Sequence, residues 1–238
     1  MEEGLEEEIK IPTFDILYQD DYFVAICKPH DILVHRTKLS QDTVFVLQSL
    51  SKQVGMYLYP IHRLDRKTSG VLLFAFTSEV AKNIHEQFQT SQITKTYLAI
   101  CRGHLPQLEM TIDYPLTNDR GKTQDAITIL KVLKQSEIDI PLGKFQTSRY
   151  SLLKVKPLTG RFHQIRKHLK HIFHPIVGDR PHGCNKQNRL FKEKWDMHTM
   201  LLHAQQIQLH HPETDDLMII NTPPLDEFQR MLGVLELA

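Results

Sequence analysis

Residues 62–70, His-Arg-Leu-Asp-Arg-Lys-Thr-Ser-Gly, set one carboxylate, Asp65, among Arg63, Arg66 and Lys67, with His62 before it and two hydroxyls behind. Arg63 and Arg66 flank the acid closely enough to hold it ionised, and a rigid scaffold can present such a group for chemistry from a connection entering a buried sheet. The plain alternative is a salt-bridged turn, because exposed ion pairs are common and contribute little. Two other stretches carry chemistry-bearing side chains. In residues 93–103, alternation puts Lys95, Tyr97, Ala99 and Cys101 on one strand face, although a tyrosine so placed is by itself an ordinary sheet residue. Residues 159–174 gather Arg161, His163, Arg166, Lys167 and Lys170. His168, His171 and His174 recur there every three residues and invite a metal. No carboxylate or thiolate completes a ligand set and no His-Glu-x-x-His occurs, so no metal is expected.

The elements that must position these groups follow from periodicity. Residues 14–18 and 23–28 read as two strands joined at Asp20-Asp21, and residues 71–76 as a buried strand leaving the Asp65 loop. Val44, Leu47, Leu50 and Val54 fall at helical spacing behind a cap at Asp42 or Thr43; a second helix opens at Ser78 with Val80, Ile84 and Phe88 on one side. Between 108 and 142 only residues 126–133 look strand-like, whereas 145–156 reads as a long strand ending in a turn at 157–160. Residues 159–174 are patterned as a helix with Phe162, Ile165, Leu169, Ile172 and Phe173 inward, His163, Lys167, Lys170 and His174 outward, and Arg166 at the border. A basic loop at 186–194, strands at 200–209 and 217–220, and a helix at 225–235 complete the chain.

Length and composition bound the rest. With 238 residues, 41% hydrophobic and 24% charged, the chain can bury one sizeable core. It is expected to form an acidic tail over 1–11 and one globular unit over 12–238. The start lacks the basic and apolar regions of an export signal, and no apolar run reaches membrane-spanning length. Cys27, Cys101 and Cys184 are dispersed and odd in number, which fits a reduced cytoplasm and a protein with no membrane partner. The net charge of +1 conceals an uneven distribution. Residues 143–194 hold thirteen lysines and arginines against two acids, Asp179 and Glu193, a local excess of eleven positive charges that marks phosphate binding.

The stretch His62–Gly70 matches His-Arg-Leu-Asp-Arg-x-Thr-Ser-Gly, residues 95–103 match Lys-x-Tyr-x-Ala-x-x-x-Gly, and residues 159–168 match Thr-Gly-Arg-x-His-Gln-Ile-Arg-x-His. Together, in this order, they resemble the RluA branch of the pseudouridine synthases. The Lys28-Pro29 segment is similar to that family's first motif, with Asp31 where glycine is usual. Asp tolerates positive φ better than most residues, and the segment is expected to support the Asp65 loop.

The resemblance implies an α+β fold, a mostly antiparallel bent sheet with flanking helices and a central cleft, and no room for an N-terminal S4 domain. It implies Asp65 as catalytic residue, Tyr97 against the target uracil, Arg166 paired with Asp65, and Arg63 in the space a flipped uridine leaves. Arg66, His62, Arg161, His163, Lys167 and Lys170 are expected to contact RNA. The reaction is redox neutral, so no cofactor is expected, and the protein is expected to act as a monomer on RNA. The missing S4 domain, residues 147–150 and residues 182–189 favour a uridine in the T stem of tRNA. Ribosomal RNA is the alternative address, and an RNA-binding chaperone without catalysis the alternative class.

Overall fold

The computed structural model describes residues 12–36, 40–118 and 120–238; the expected acidic tail lies outside the described residues. The chain opens with a hairpin, β1 (Asp15–Gln19) and β2 (Phe23–Lys28), closed by the Asp20 carboxylate, which accepts the N–H groups of Tyr22 and Phe23 at 2.7 and 2.9 Å. Then come α1 (Val46–Val54), β3 (Tyr59–Pro60), β4 (Ser69–Ala75), α2 (Ser78–Gln89), β5 (Thr94–Arg102) and β6 (Glu109–Asp113). The small ladder of β7 (Leu116–Thr117) and β8 (Thr123–Gln124) precedes the long pair β9 (Ile127–Ile138) and β10 (Ser148–Pro157). The last elements are α3 (Gln164–His171), α4 (Asn185–Trp195), β11 (Leu202–His210), β12 (Leu217–Asn221) and α5 (Asp226–Val234). No helix among the described residues is long and apolar enough to cross a membrane.

One ten-stranded sheet runs in the order β1, β2, β4, β11, β5, β10, β9, β6, with β3 on β4 and β12 on β11. All pairings within it are antiparallel except β4 with β11, which meet in parallel through two residue pairs, Ser69 with His203 and Ala204 with Gly70. This short seam joins two halves. In the first, β2 and β4 are buried along their whole length, α1 covering one face through Val46 and Leu50 and α2 the other through Ile84. In the second, Ile165 and Leu169 of α3 pack on one side, and Phe191 of α4 with Phe228 and Met231 of α5 pack on the other.

Four local expectations are corrected. The first helix starts at Val46 rather than Thr43, because the carbonyls of Leu33 and Val34 take the N–H groups of Val46 and Leu47 (3.0 and 2.9 Å) and do the work expected of a side-chain cap. The strand expected at 126–133 extends to Ile138, since β10 supplies partners along its whole length. The helix expected over 159–174 is confined to Gln164–His171, because His163 turns into the left-handed region at φ 56°. The basic loop expected at 186–194 is α4: Gln187 and Phe191, one turn apart, are buried, and burying the phenyl ring contributes roughly 1.5–3 kcal/mol.

Gly70 sets the seam. Its φ is +113°, and a Cβ there would lie 2.2 Å from the Ala204 carbonyl oxygen. Gly70→Ala should therefore cost about 2–4 kcal/mol in denaturant unfolding. Gly233→Ala, in α5 with nothing within 4 Å, should stabilise by roughly 0.5–1 kcal/mol. Equal midpoints for the two variants would contradict the assignment of the seam.

Candidate active site

The Asp65 loop is fastened from inside the protein. Lys28, at the end of β2 and fully buried, donates to the carbonyls of Pro29 (2.8 Å), Arg66 (3.1 Å) and Thr68 (2.9 Å), so its three ammonium protons all hold loop backbone. Burial pushes this ammonium down to about 7, with the carboxylates of Asp65 and then Asp31 working the other way. The Thr68 N–H closes a turn on the Asp65 carbonyl at 3.0 Å. His62 accepts the Leu73 N–H on Nε2 (3.1 Å), pinning the start of the loop to β4, and burial lowers its pKa to about 3. Asp31 does adopt positive φ, 67°, and its carboxylate meets Lys67 at 2.8 Å.

Arg166 reaches this loop from α3. Its Nη1 donates to Asp65 Oδ2 at 2.8 Å, while Nε and Nη2 donate to Asp179 Oδ2 and Oδ1 at 2.7 and 2.8 Å. The guanidinium side chain is 6% exposed, Asp65 21% and Asp179 not at all. Burial disfavours the cation, but Asp179 and then Asp65 outweigh it and hold Arg166 above its ordinary range. Asp179 follows Gly178, whose φ of +81° and missing Cβ let the chain pass against the Thr199 carbonyl. Asn188 of α4 then brackets the acid, accepting the Gly178 N–H at 3.0 Å and donating to the Asp179 carbonyl at 2.7 Å.

The left-handed turn at His163 swings its ring toward the same carboxylate. Nε2 lies 3.7 Å from Asp65 Oδ2, and Nδ1 is 2.9 Å from Nε2 of His182, whose own N–H donates to Asp179. Burial lowers the His163 pKa to about 4 even though Asp65 pulls upward, so the ring is neutral near pH 7. Tyr97 packs between the two halves of the sheet; burial first, and Asp65 second, raise its hydroxyl above the ordinary tyrosine value.

These groups border a cleft of about 790 Å³ between the Asp65 loop, the end of α2, the start of β5 and residues 157–166. Of the residues expected from sequence, Asp65, Tyr97, Arg166, His62, Arg63, Arg161 and His163 line it. Arg66 does not: it turns away from Asp65 to Asp42 (3.1 Å) and the Asp31 carbonyl (3.2 Å). Lys167 and Lys170 lie outside the cleft, as expected for an outward helix face, whereas His163, expected there too, points inward because the helix begins after it. The three spaced histidines separate: His168 bonds Thr128 and the Tyr114 carbonyl, His171 stacks on Tyr114, and His174 bonds the Arg102 carbonyl. Sequence reasoning passes over Asp179, although its signal was present as one of two acids in the basic stretch 143–194, directly after a glycine.

The sequence profile of the family described as RNA pseudouridylate synthase matches residues 22–171. The tRNA pseudouridine synthase C of Vibrio parahaemolyticus serotype O3:K6 is 43% identical over 234 residues, 93% of this chain and 95% of that protein. That of Haemophilus influenzae is 42% identical over 231 residues, 92% and 96% of the two chains. Among solved structures, human RNA Pseudouridylate Synthase Domain Containing 4 superposes with a TM-score of 0.73 over 93% of each chain at 24% identity. Human RNA Pseudouridylate Synthase Domain Containing 1 gives 0.72 over 100% of this chain and 98% of that one at 23% identity. These two share the fold.

Asp179→Asn keeps the shape but leaves Arg166 without its buried counter-charge, which should lower kcat about a hundredfold and cost about 3 kcal/mol in chemical denaturation; wild-type kcat in a folded variant would remove this role. His62 and His163 both bind protons less readily folded than unfolded. The unfolded chain therefore takes up more protons as pH falls from about 6.5 toward 3, and stability present above 6.5 is lost through that window. His163→Gln should make the loss between pH 6.5 and 4 smaller, measured as urea midpoints across pH.

Proposed function

The chain belongs to the RNA pseudouridylate synthase family, and from that membership we propose that it isomerises a uridine in the T stem of tRNA, with Asp65 as the reacting carboxylate. Pseudouridine synthases are intramolecular isomerases: the bond from N1 of uracil to C1′ of ribose breaks, the base turns, C5 bonds to C1′, and the C5 proton leaves. The observation that carries the assignment is that Asp65 is the one acid among the described residues lining the cleft. Hydrolysis of a glycosidic bond normally uses two carboxyl groups, one of them to handle water or the leaving group. A single carboxylate suffices for isomerisation.

Arg166 takes Oδ2 of Asp65 and fixes the carboxylate plane, leaving Oδ1 without a hydrogen bond among the described residues. That oxygen is the one available to attack C1′, to add to C6 of the base, or to remove the C2′ proton; all three routes begin from it. Tyr97 offers a flat ring for the flipped base. Arg63, exposed at the cleft and without a hydrogen bond among the described residues, is suited to fill the space the base leaves. Arg161, Lys95 and the other cleft cations favour the approach of a phosphate backbone. The identity to relatives named tRNA pseudouridine synthase C supports tRNA as the substrate.

Unmodified transcripts labelled with tritium at uridine C5 test this directly. Wild-type protein should release tritium from tRNA and not from ribosomal RNA, without added metal beyond what RNA folding needs. Asp65→Asn should fold and release none, and Arg63→Lys should rescue little of the loss in Arg63→Ala, because the planar guanidinium stacks as well as bonds. Release from ribosomal RNA alone would keep the chemistry and overturn the substrate; tight binding without release from either would overturn catalysis.

A further inference from the structure

A ridge of aromatic rings and lysines leads away from the cleft along α3. It begins at Phe162, which lines the cleft, is 42% exposed and stacks on His163 with ring centroids 3.7 Å apart. Lys167 lies over the Phe162 ring, 5.5 Å from its centroid, and donates to the Thr117 carbonyl at 3.1 Å, which ties the β7–β8 ladder to the helix. Farther on, Tyr114 stacks on His171, 3.7 Å apart and 20° from parallel. Lys170 and Phe173, on either side of His171 in the chain, are exposed, Phe173 to 88%.

The stack is built from within. His168, fully buried, contacts the Tyr114 carbonyl through Nε2 and Thr128 Oγ1 through Nδ1, both at 2.9 Å. Nε2 faces a carbonyl and so carries the proton, which leaves Nδ1 to accept from the Thr128 hydroxyl. A histidine with both nitrogens satisfied fixes the backbone of Tyr114 against α3. Lys167 and Lys170 make no ion pair among the described residues, and the nearby acid, Asp113 at the end of β6, pairs with neither. Aromatic faces alternating with unpaired cations fit unpaired bases and their phosphates better than an apolar protein surface, which would gain nothing from the lysines.

We propose that this ridge binds unpaired nucleotides bordering the stem that holds the target uridine, with Tyr114 and His171 presenting a stacking platform and Lys167 and Lys170 meeting phosphates. His171 lies eight residues beyond His163, about 12 Å along the helix, so the nucleotides concerned lie about that far from the flipped one. This rests on the RNA-modifying reading of the cleft and extends it to the substrate's conformation.

The test uses Asp65→Asn protein, which holds substrate unturned, and tRNA transcripts carrying 2-aminopurine at unpaired positions near the target. Binding should quench the fluorophore at least threefold. Tyr114→Ala with His171→Ala should abolish the quench, whereas Tyr114→Phe with His171→Phe should keep it. In protein with Asp65 intact, the alanine pair should raise KM for tRNA about tenfold and leave kcat unchanged. Quenching that survives the alanine pair, or is lost equally in the phenylalanine pair, overturns the platform and leaves the ridge to another class of partner. Failure of tritium release by wild-type protein would count against the reaction itself and is read independently of the fluorescence.

Discussion

The arrangement depends on Arg166 lying between two carboxylates contributed by distant parts of the chain. A guanidinium this deeply buried is tolerated only if its donors are matched, and Asp179 takes two of them in the planar geometry that suits a carboxylate. A third donor, on Nη1, is thereby aimed at Asp65. Lys28 sits close enough for Asp65 to act on it, so the ammonium that burial pushes down to about 7 shares one neighbourhood with the guanidinium and the two carboxylates. Removing any one leaves the others uncompensated in a medium that solvates charge poorly.

The Arg166–Asp65 pair also bridges the two halves where the seam between β4 and β11 is short. Asp65 belongs to the loop feeding β4, and Arg166 and Asp179 belong to the half built on β5, β9 and β10. Where two residue pairs are the whole strand pairing, the Arg166–Asp65 ion pair and Tyr97, which packs on the cores of both halves, add to the connection. The cleft is therefore open beside Asp65 while its walls are fixed by groups that cannot move without exposing a buried charge. Such a floor is preorganised: the carboxylate is oriented before a base enters, and the neutral His163 adds no competing cation.

Much of this was legible in the sequence. Apolar runs found β2 and β4, alternation found β5, and the spacing of Ile165 and Leu169 located α3, because each pattern follows from which faces of an element are buried. The motif residues Asp65, Tyr97 and Arg166 do border one cleft. Elsewhere local pattern was misleading. In α4, two buried side chains anchor a helix whose other residues are mostly charged, so the amphipathic signal was too sparse to separate from a basic loop. Arg66, adjacent in sequence to the acid it was expected to flank, is turned away by the loop geometry.

The sequence by itself determined which residues could carry the chemistry, since residue type and spacing within a motif are local properties. It also determined that a sheet and not a bundle would hold them. Only the tertiary structure decided the partner that directs Arg166, the inward turn of His163, the buried fastening by Lys28, and the stacking of Tyr114 on His171. Each of these joins groups separated along the chain, by 13 residues for Arg166 and Asp179 and by 38 for Lys28 and the Arg66 carbonyl. Pairings of that kind are fixed by how buried polar groups find partners once the halves pack, and no local pattern encodes them.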